Sequence, residues 1–542
     1  MQLETARRPA AFWPVLLIVL AVAAIGGWVR WLIASGEILW IDELHTSWCV
    51  AGDFGDVYQR ALSGNQTPLY FWTSWLFVEV FGKTEFSIRL VSLISGVGTI
   101  VAAAWLVWRW TASAIATVAT SILIALDFQF IYYATEARPY ALIQFLGMIQ
   151  VALFWRFITA DDSTEQSESL EHTPQRRFRW LGLSMLSVVT ALLLYTHLTS
   201  AWLLIAEVLF VAVLLVVQPS FRRQHLSRIL KVTGFTALIS IPAMLSLWQL
   251  VGRRSNWSSI SSIPRLLEQQ TMPLGCWILL PAIAMLVAIL LRLGGRKSAS
   301  QGHTYQWKRL GFVLLWALLP TLGVIALDRF ELAPMALVRY TLIGAVAMPV
   351  FAGLVIGFVG VSKIRLVLAI ALIAASLVWS PITSGKFVSS GFDARQLPGL
   401  RLEDWRSPIS AINTNQAKQN HPLFLASNLI EDVDAFENSE VQFQEYLRFP
   451  LNGFYQIENE NSAREIIPIP TLLRERTRDS DIEKIKNSGG AWLIVRGPRD
   501  LAFEIEDEIV SKIAIQFPDA GEPKTVHFGD PHGLVYLVSF DW

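Results

Sequence analysis

The feature that most constrains this chain is a succession of apolar stretches, each about 17 to 25 residues long, the length a helix needs to cross the hydrocarbon core of a bilayer. They fall near 12–34, 87–108, 111–131, 138–158, 180–197, 199–217, 232–251, 272–292, 310–327, 338–360 and 364–382. About eleven transmembrane helices are expected. Composition agrees: of 542 residues, 53% are hydrophobic and 16% charged, against roughly 25% charged in an average soluble chain. The formal net charge is zero, so no global basic field points to nucleic acid. Cys49 and Cys276 lie far apart and form no CxxC pair, which suggests neither a zinc knuckle nor a disulfide framework. Arg7 and Arg8 precede the first apolar run, which continues to about Ala34 without an A-x-A cleavage pattern and reads as an uncleaved first helix.

One further apolar stretch, Leu69–Phe81, follows Pro68, contains Glu79 and is only about 13 residues long, in the range of an interfacial or re-entrant segment. Charge tests its exclusion. With Arg7 and Arg8 inside, the loops around Arg109, 159–179, 218–231, 293–309 and 361–365 all become cytoplasmic. These hold Arg222, Arg223, Arg228, Lys231, Arg296, Lys297, Lys308 and Arg309, about 18 Lys/Arg inside against about 10 outside. Counting 69–81 as a span would place that excess outside. The N-terminus is therefore expected to be cytoplasmic and the C-terminus periplasmic.

From about 385 the chain changes to mixed charge, with short apolar runs at Leu423–Ala426, Ala491–Val495 and Gly533–Phe540 that read as strands, and an amphipathic stretch at 479–487. The expected organisation is an α-helical polytopic membrane domain over 1–384, with a first periplasmic loop at 35–86 holding interfacial helices. A small periplasmic α/β domain follows over 385–542.

Charged side chains at helix ends on one side of a membrane bundle are costly without a partner or a purpose. The expected topology gathers Asp42, Glu43, Glu136, Arg138, His197, Asp328, Arg329 and Arg339 on the outer side. Arginine supplies planar bidentate hydrogen bonds to phosphate oxygens, which makes Arg138 and Arg339 candidates for an anionic phosphate. A carboxylate can take the proton of an attacking hydroxyl, and Asp42, with Glu43 next in line, is the candidate base. A divalent metal could replace or assist the arginines, with Asp42, Glu136, His45 or His197 as ligands. Taken singly, Asp42 reads as a solvated loop carboxylate, Glu136 and Arg138 as a local ion pair, and His197 as an interfacial histidine. The convergence of all of them carries the functional reading.

The stretch 40–146 resembles the bacterial glycosyltransferases of the GT-C superfold, the group of lipopolysaccharide core sugar transferases, aminoarabinose transferase and protein O-mannosyltransferases. The resemblance rests on Trp40-Ile41-Asp42-Glu43, Thr67-Pro68-Leu69-Tyr70-Phe71, Phe81-Gly82 through Glu85 to Arg89-Leu90, and Tyr132-Tyr133-Ala134-Thr135-Glu136-Ala137-Arg138-Pro139-Tyr140. Later echoes are Tyr195-Thr196-His197, Arg339-Tyr340 and Asp404-Trp405-Arg406. The resemblance implies an enzyme of the bacterial inner membrane that moves a sugar from a polyprenyl-phosphate donor to a lipid, glycan or protein acceptor. It implies a catalytic role for the acidic pair Asp42 and Glu43; the other candidates are Glu136 as a further catalytic acid, Arg138, Arg339 and Tyr140 for the donor phosphate, and Gln66, Tyr70 and His197 for substrate contacts. It also implies that the short helix lies along the membrane surface. One departure stands out: Gln66-Thr67-Pro68 occupies the place where the family usually has His or Lys before prolines, and glutamine hydrogen-bonds without supplying charge. Inversion at the anomeric carbon would follow from a single displacement with Asp42 as base.

Two rivals share the polar groups in an apolar bundle. A transporter or flippase of lipid-linked sugars predicts inverted repeats and polar residues near the bilayer midplane, neither of which the sequence shows clearly, and a non-catalytic assembly subunit would tolerate loss of Asp42. The topology itself is open to test. Cysteines introduced at positions 65 and 420 should react in intact cells with a membrane-impermeant thiol reagent, and one at 225 should not. Labelling at 225 would invert the placement of every later loop.

Overall fold

The protein is described here by a computed structural model covering residues 12–159, 174–252, 261–293, 302–359, 362–379, 403–418, 420–429, 431–432, 434, 440–458, 464–471, 473, 476–528 and 534–542. Arg7, Arg8, Arg296 and Lys297 of the basic side, Gly533 of the last expected strand and the expected boundary at 384–385 lie outside the described residues.

Six helices are long and apolar enough to cross a membrane: Phe12–Gly36, Glu85–Thr111, Tyr140–Thr159, Leu198–Val217, His225–Leu245 and Gln306–Arg329. Two bent pairs, Ala114–Leu126 with Phe128–Ala134 at 60° and Ile263–Thr271 with Gly275–Leu290 at 46°, raise the number to eight if each is one span. The chain is a polytopic membrane protein, but among the described residues the expected eleven spans are not reached. The difference has a local cause, because several apolar runs are broken or short as helices. The run at 338–360 opens with a 3-10 turn, Val338–Tyr340, and continues as Leu342–Ala345 and Ala347–Phe358.

The 60° bend shows how polar groups settle a broken helix in apolar surroundings. Asp127 stands at the break in extended conformation and its carboxylate accepts from the N–H groups of Gln129 and Phe130, at 2.9 and 3.4 Å, capping the second piece. The first piece ends with carbonyls that have no partner in their own helix. The fully buried Arg30 supplies one, donating to Ile124 O at 3.1 Å and Ala125 O at 3.2 Å, and to Gly26 O of its own helix at 3.0 Å.

By packing, the chain divides into two compact units, residues 1–33 with 91–396, and residues 34–90 with 397–542. The core of the first runs through Ile143, Phe154, Phe312, Trp316 and Val350. The whole of the 35–86 stretch therefore belongs to the same unit as the tail.

Within that second unit the stretch folds as three helices, Ile41–Cys49, Phe54–Ser63 and Leu69–Phe81. Leu69–Phe81 has 13 residues, fewer than a bilayer core requires. Gly82, at φ 79°, ends it in a conformation that glycine adopts without a Cβ penalty. The tail forms a five-stranded sheet from β1 (Leu423–Ala426), β2 (Ile466–Pro468), β3 (Gly490–Arg496), β4 (Lys524–Phe528) and β5 (Val535–Asp541), in the order β2-β1-β3-β5-β4. β1 runs parallel to β2 and β3, and β5 antiparallel to β3 and β4. Helix Arg499–Gln516 lays Ala502, Ile505, Ile509 and Ile513 into the core with Phe424, Leu493 and Phe540, the three-to-four-residue spacing of one helix face. The three strands expected from sequence are present, whereas the three-residue β2 and the polar β4 at the two edges carry too weak an apolar pattern to be read.

The loop helices and the tail meet at a close approach. A Cβ added at Gly453 would lie 2.3 Å from Ser47 Oγ and 3.0 Å from Trp48 N, and the same two turns exchange a bond from Phe454 N–H to Ser47 Oγ at 3.0 Å. Lys83 adds a bond to Gly453 O at 2.9 Å. Gly453→Ala should therefore cost about 1–3 kcal/mol, as overpacking does, visible as a lower melting temperature of the purified protein. Ser47→Ala in the same chain should restore part of it by removing the nearer of the two clashes.

Candidate functional site

The site residues expected from sequence fall into both compact units, and each set has its own geometry. Asp42, Glu43, His45, Gln66 and Tyr70 belong to the loop and tail unit.

Asp42 and Glu43 occupy the first turn of helix Ile41–Cys49, where successive residues point about 100° apart. That angle separates their fates. Glu43 is fully buried and paired with the equally buried Arg89: Nε donates to Oε1 at 2.7 Å and Nη2 to Oε2 at 2.5 Å. The remaining guanidinium hydrogens go to carbonyls, Nη1 to Ala34 O at 2.6 Å and Glu37 O at 2.7 Å, and Nη2 to Ile38 O at 3.2 Å. All five donors of the arginine are thus engaged by the ten residues 34–43. Of the nine residues in the helix, Asp42 alone is not buried. The pair that the sequence offers as two interchangeable acids is one locked carboxylate and one presented carboxylate.

Gln66 and Tyr70 are both buried. In the turn before helix Leu69–Phe81, Asn65 Nδ2, Gln66 Oε1 and Thr67 Oγ1 are buried atoms with no hydrogen-bond partner among the described residues, so three consecutive side chains retain capacity for a polar ligand. His45 lies within an aromatic cluster, its ring centroid 5.4 to 6.0 Å from those of Phe449, Phe71, Trp48 and Tyr446, with Cys49 Sγ 3.7 Å from Nε2. Among the described residues no group of three or more His, Cys, Asp or Glu is arranged to hold a metal ion.

Glu136, Arg138, Tyr140, His197 and Arg339 belong to the membrane-helix unit. Arg138 precedes Pro139 and the 20-residue helix Tyr140–Thr159, whose unpaired N–H groups carry partial positive charge. Its backbone is fixed by a bond from Arg138 N–H to Glu136 O at 2.8 Å and by Ser92 Oγ donating to Arg138 O at 3.0 Å. A line of rings runs from Tyr133 to Tyr140 at 5.2 Å, to His197 at 5.6 Å and to Tyr340 at 6.2 Å. Arg339 closes it, with its guanidinium carbon 5.3 Å from the Tyr340 ring centroid. Both Arg138 and Arg339 lie within electrostatic reach of His197, and Glu136 and Arg339 within reach of Tyr133. His197 Nδ1 accepts from Thr199 N–H at 3.2 Å, capping the short turn Leu198–Ser200. The structure thus brings together five residues from three distant parts of the sequence, two of them cations flanking an aromatic line.

Sequence reasoning passed over Arg89. It stands in the Glu85 to Arg89 motif, so its presence was legible, but its pairing with a residue 46 positions away had no local signal. Tyr340 was visible only as part of an Arg-Tyr echo.

No family model matches the chain, and no curated protein matches it. Among solved structures, two of ArnT from Cupriavidus metallidurans are similar, one bound to undecaprenyl phosphate and one in the apo state. Each is 14% identical and covers 98% of both chains, with TM-scores of 0.52 and 0.53. The Archaeoglobus fulgidus oligosaccharyltransferase, in complex with Zn and sulfate, is 12% identical over 96% of this chain and 72% of its own, with a TM-score of 0.49. At 14% identity over nearly the whole of both chains the likeness is one of fold, and the chain has the fold of these ArnT structures.

Proposed function

We propose that the protein is a glycosyltransferase that takes a sugar from a polyprenyl-phosphate carrier at the outer face of a bacterial inner membrane and passes it to a lipid, glycan or protein hydroxyl. The observation that carries this reading is the grouping of Arg138, Tyr140, His197, Tyr340 and Arg339 at the ends of membrane helices. Two guanidiniums beside an aromatic line suit a phosphate on an apolar chain, with planar donors for the oxygens and rings for the sugar or the lipid. The ArnT structure of the same fold was solved with undecaprenyl phosphate, which supports the same class of ligand here. The unpartnered Asn65 Nδ2 and Thr67 Oγ1 would donate to hydroxyl or phosphate oxygens, and Gln66 Oε1 would accept from a hydroxyl, all without adding charge.

Asp42 is assigned as the base. As the acceptor hydroxyl oxygen attacks the anomeric carbon, its proton passes to the Asp42 carboxylate. The bond from that carbon to the phosphate oxygen breaks, and its electron pair leaves with the polyprenyl phosphate, whose added negative charge Arg138 and Arg339 would receive. A single displacement of this kind inverts the anomeric centre. Glu43 is held by Arg89 and acts on the backbone that presents Asp42. Glu136 supports the turn that carries Arg138.

The division of the acid pair predicts opposite phenotypes. Asp42→Asn should lower turnover by about 10²-fold or more, the scale of general-base removal, with the melting temperature nearly unchanged. Glu43→Gln leaves the buried Arg89 charge without its counter-ion and should cost about 3–5 kcal/mol of stability. Wild-type turnover in Asp42→Asn would move the base elsewhere.

For the donor phosphate, Arg138→Lys and Arg339→Lys keep the charge and lose the bidentate fork. An unmade charge-assisted hydrogen bond costs about 1.5–3 kcal/mol, or roughly 10- to 150-fold in affinity. That loss should appear in binding of undecaprenyl phosphate to the purified protein. Unchanged binding in both variants would sink the clamp.

A further inference from the structure

The helix that presents Asp42 lacks a cap of its own. Its N-cap residue is Trp40, whose side chain makes no capping bond, where Ser, Thr, Asp or Asn would ordinarily satisfy one of the first free N–H groups. The tail supplies the acceptors instead. Ile41 N–H donates to Glu403 Oε2 at 2.9 Å across 362 residues of sequence, and Leu39 N–H donates to the Tyr455 hydroxyl at 3.2 Å. That hydroxyl in turn donates to Glu85. Burial and the neighbouring Glu85 push the Tyr455 hydroxyl above its ordinary range, so it stays protonated and keeps that bond.

Both oxygens of Glu403 are engaged. Oε2 also accepts from Trp405 Nε1 at 3.0 Å, and Oε1 accepts from Arg496 Nε at 2.8 Å, with Nη2 of the same arginine also at 2.8 Å. A carboxylate offers about four lone-pair sites; three hydrogen bonds and the ion pair with Arg496 occupy both oxygens. Arg496 is the last residue of β3, and its Nη1 reaches Asn428 O, just beyond β1, at 3.3 Å. The carboxyl ends of parallel strands are where open α/β sheets ordinarily hold a ligand. Here that edge holds Glu403, and Glu403 holds the helix.

We infer that Glu403, fixed by Arg496 and Trp405, is a positioning residue for Asp42: the C-terminal sheet sets the start of the helix that carries the base. This rests on Asp42 being the base. The backbone from 34 to 41 is gripped on both hands, its carbonyls at 34, 37 and 38 by Arg89 and its N–H groups at 39 and 41 by the tail. Releasing one grip leaves the fold in place and loosens the angle at which residue 42 is offered. A misplacement of about 1 Å can cost on the order of 100-fold in rate.

The test uses the full-length protein returned to membranes of cells from which it has been removed, where the unconsumed lipid-linked donor remains. Glu403→Ala should lower turnover per folded molecule by about 10- to 100-fold, with binding of undecaprenyl phosphate within about twofold of wild type. Amide hydrogen exchange in the peptide containing Ile41 should become faster. Glu403→Gln keeps one oxygen for the Ile41 N–H, should lie between alanine and wild type in both readouts, and serves in place of the alanine variant if that fails to fold. Wild-type turnover per folded molecule, or unchanged exchange at Ile41, would overturn the inference. Asp42→Asn assayed in parallel separates the two claims. An active Asp42→Asn removes the base assignment and the inference built on it, whereas an inactive Asp42→Asn beside a fully active Glu403→Ala overturns the positioning role alone.

Discussion

Arg89 carries a full positive charge at a point that water does not reach, and the start of the loop and tail unit is shaped by answering it. Removing an arginine and a glutamate from water costs several kcal/mol for each ion, so the pair persists only where geometry is good and the remaining donors are satisfied. Both conditions are met: two bonds go to Glu43 and three to the carbonyls of Ala34, Glu37 and Ile38. The path of the chain between the end of its first helix and Ile41 follows from them. Five donors in one plane leave the backbone from 34 to 43 little choice of route, and once Glu43 turns inward, the helical step turns Asp42 away from the buried side.

Such a pair is a poor source of net stability, because apolar residues of the same volume often do as well or better. Its contribution is positional. A lysine at 89 would offer three donors to the five acceptors now engaged, leaving buried carbonyls or a carboxylate oxygen unpaired. A fixed backbone beneath a presented side chain is what a general base needs, since the carboxylate must meet a proton at a set distance and cannot afford to search for it. The same segment therefore combines a rigid frame with one half-buried side chain at Asp42.

Much of this was legible in the sequence, and the rest was not for identifiable reasons. The acid pair, the Glu136 to Tyr140 motif and Arg339 stand out because charged residues at the ends of apolar runs are rare and costly. Helix Leu69–Phe81 and strand β1 occur at the residues their apolar patterns mark. The split between Asp42 and Glu43 could not be read locally, because adjacent acids look alike until the partner of one is known, and Arg89 is 46 residues away. The bend within the apolar run at 111–131 was hidden for a related reason. A run of apolar residues records hydropathy and says nothing of where a helix bends, and the carbonyls left at the break before Asp127 are met by Arg30, nearly a hundred positions earlier.

The grouping of the 35–86 stretch with the tail was hidden most deeply of all. Its bonds run from Ile41 to Glu403, from Ser47 to Phe454 and from Lys83 to Gly453, each joining residues more than 350 positions apart. No periodicity records such pairs. Closing a loop of that length costs little more entropy than closing a shorter one, because the cost grows only with the logarithm of length. A few buried, well-aligned bonds around helix Ile41–Cys49 are therefore enough to join the two ends of the sequence, provided the intervening chain brings them within reach. Gly453 marks how close that approach is, since even one methyl group more on the tail would meet Ser47 and the backbone of Trp48.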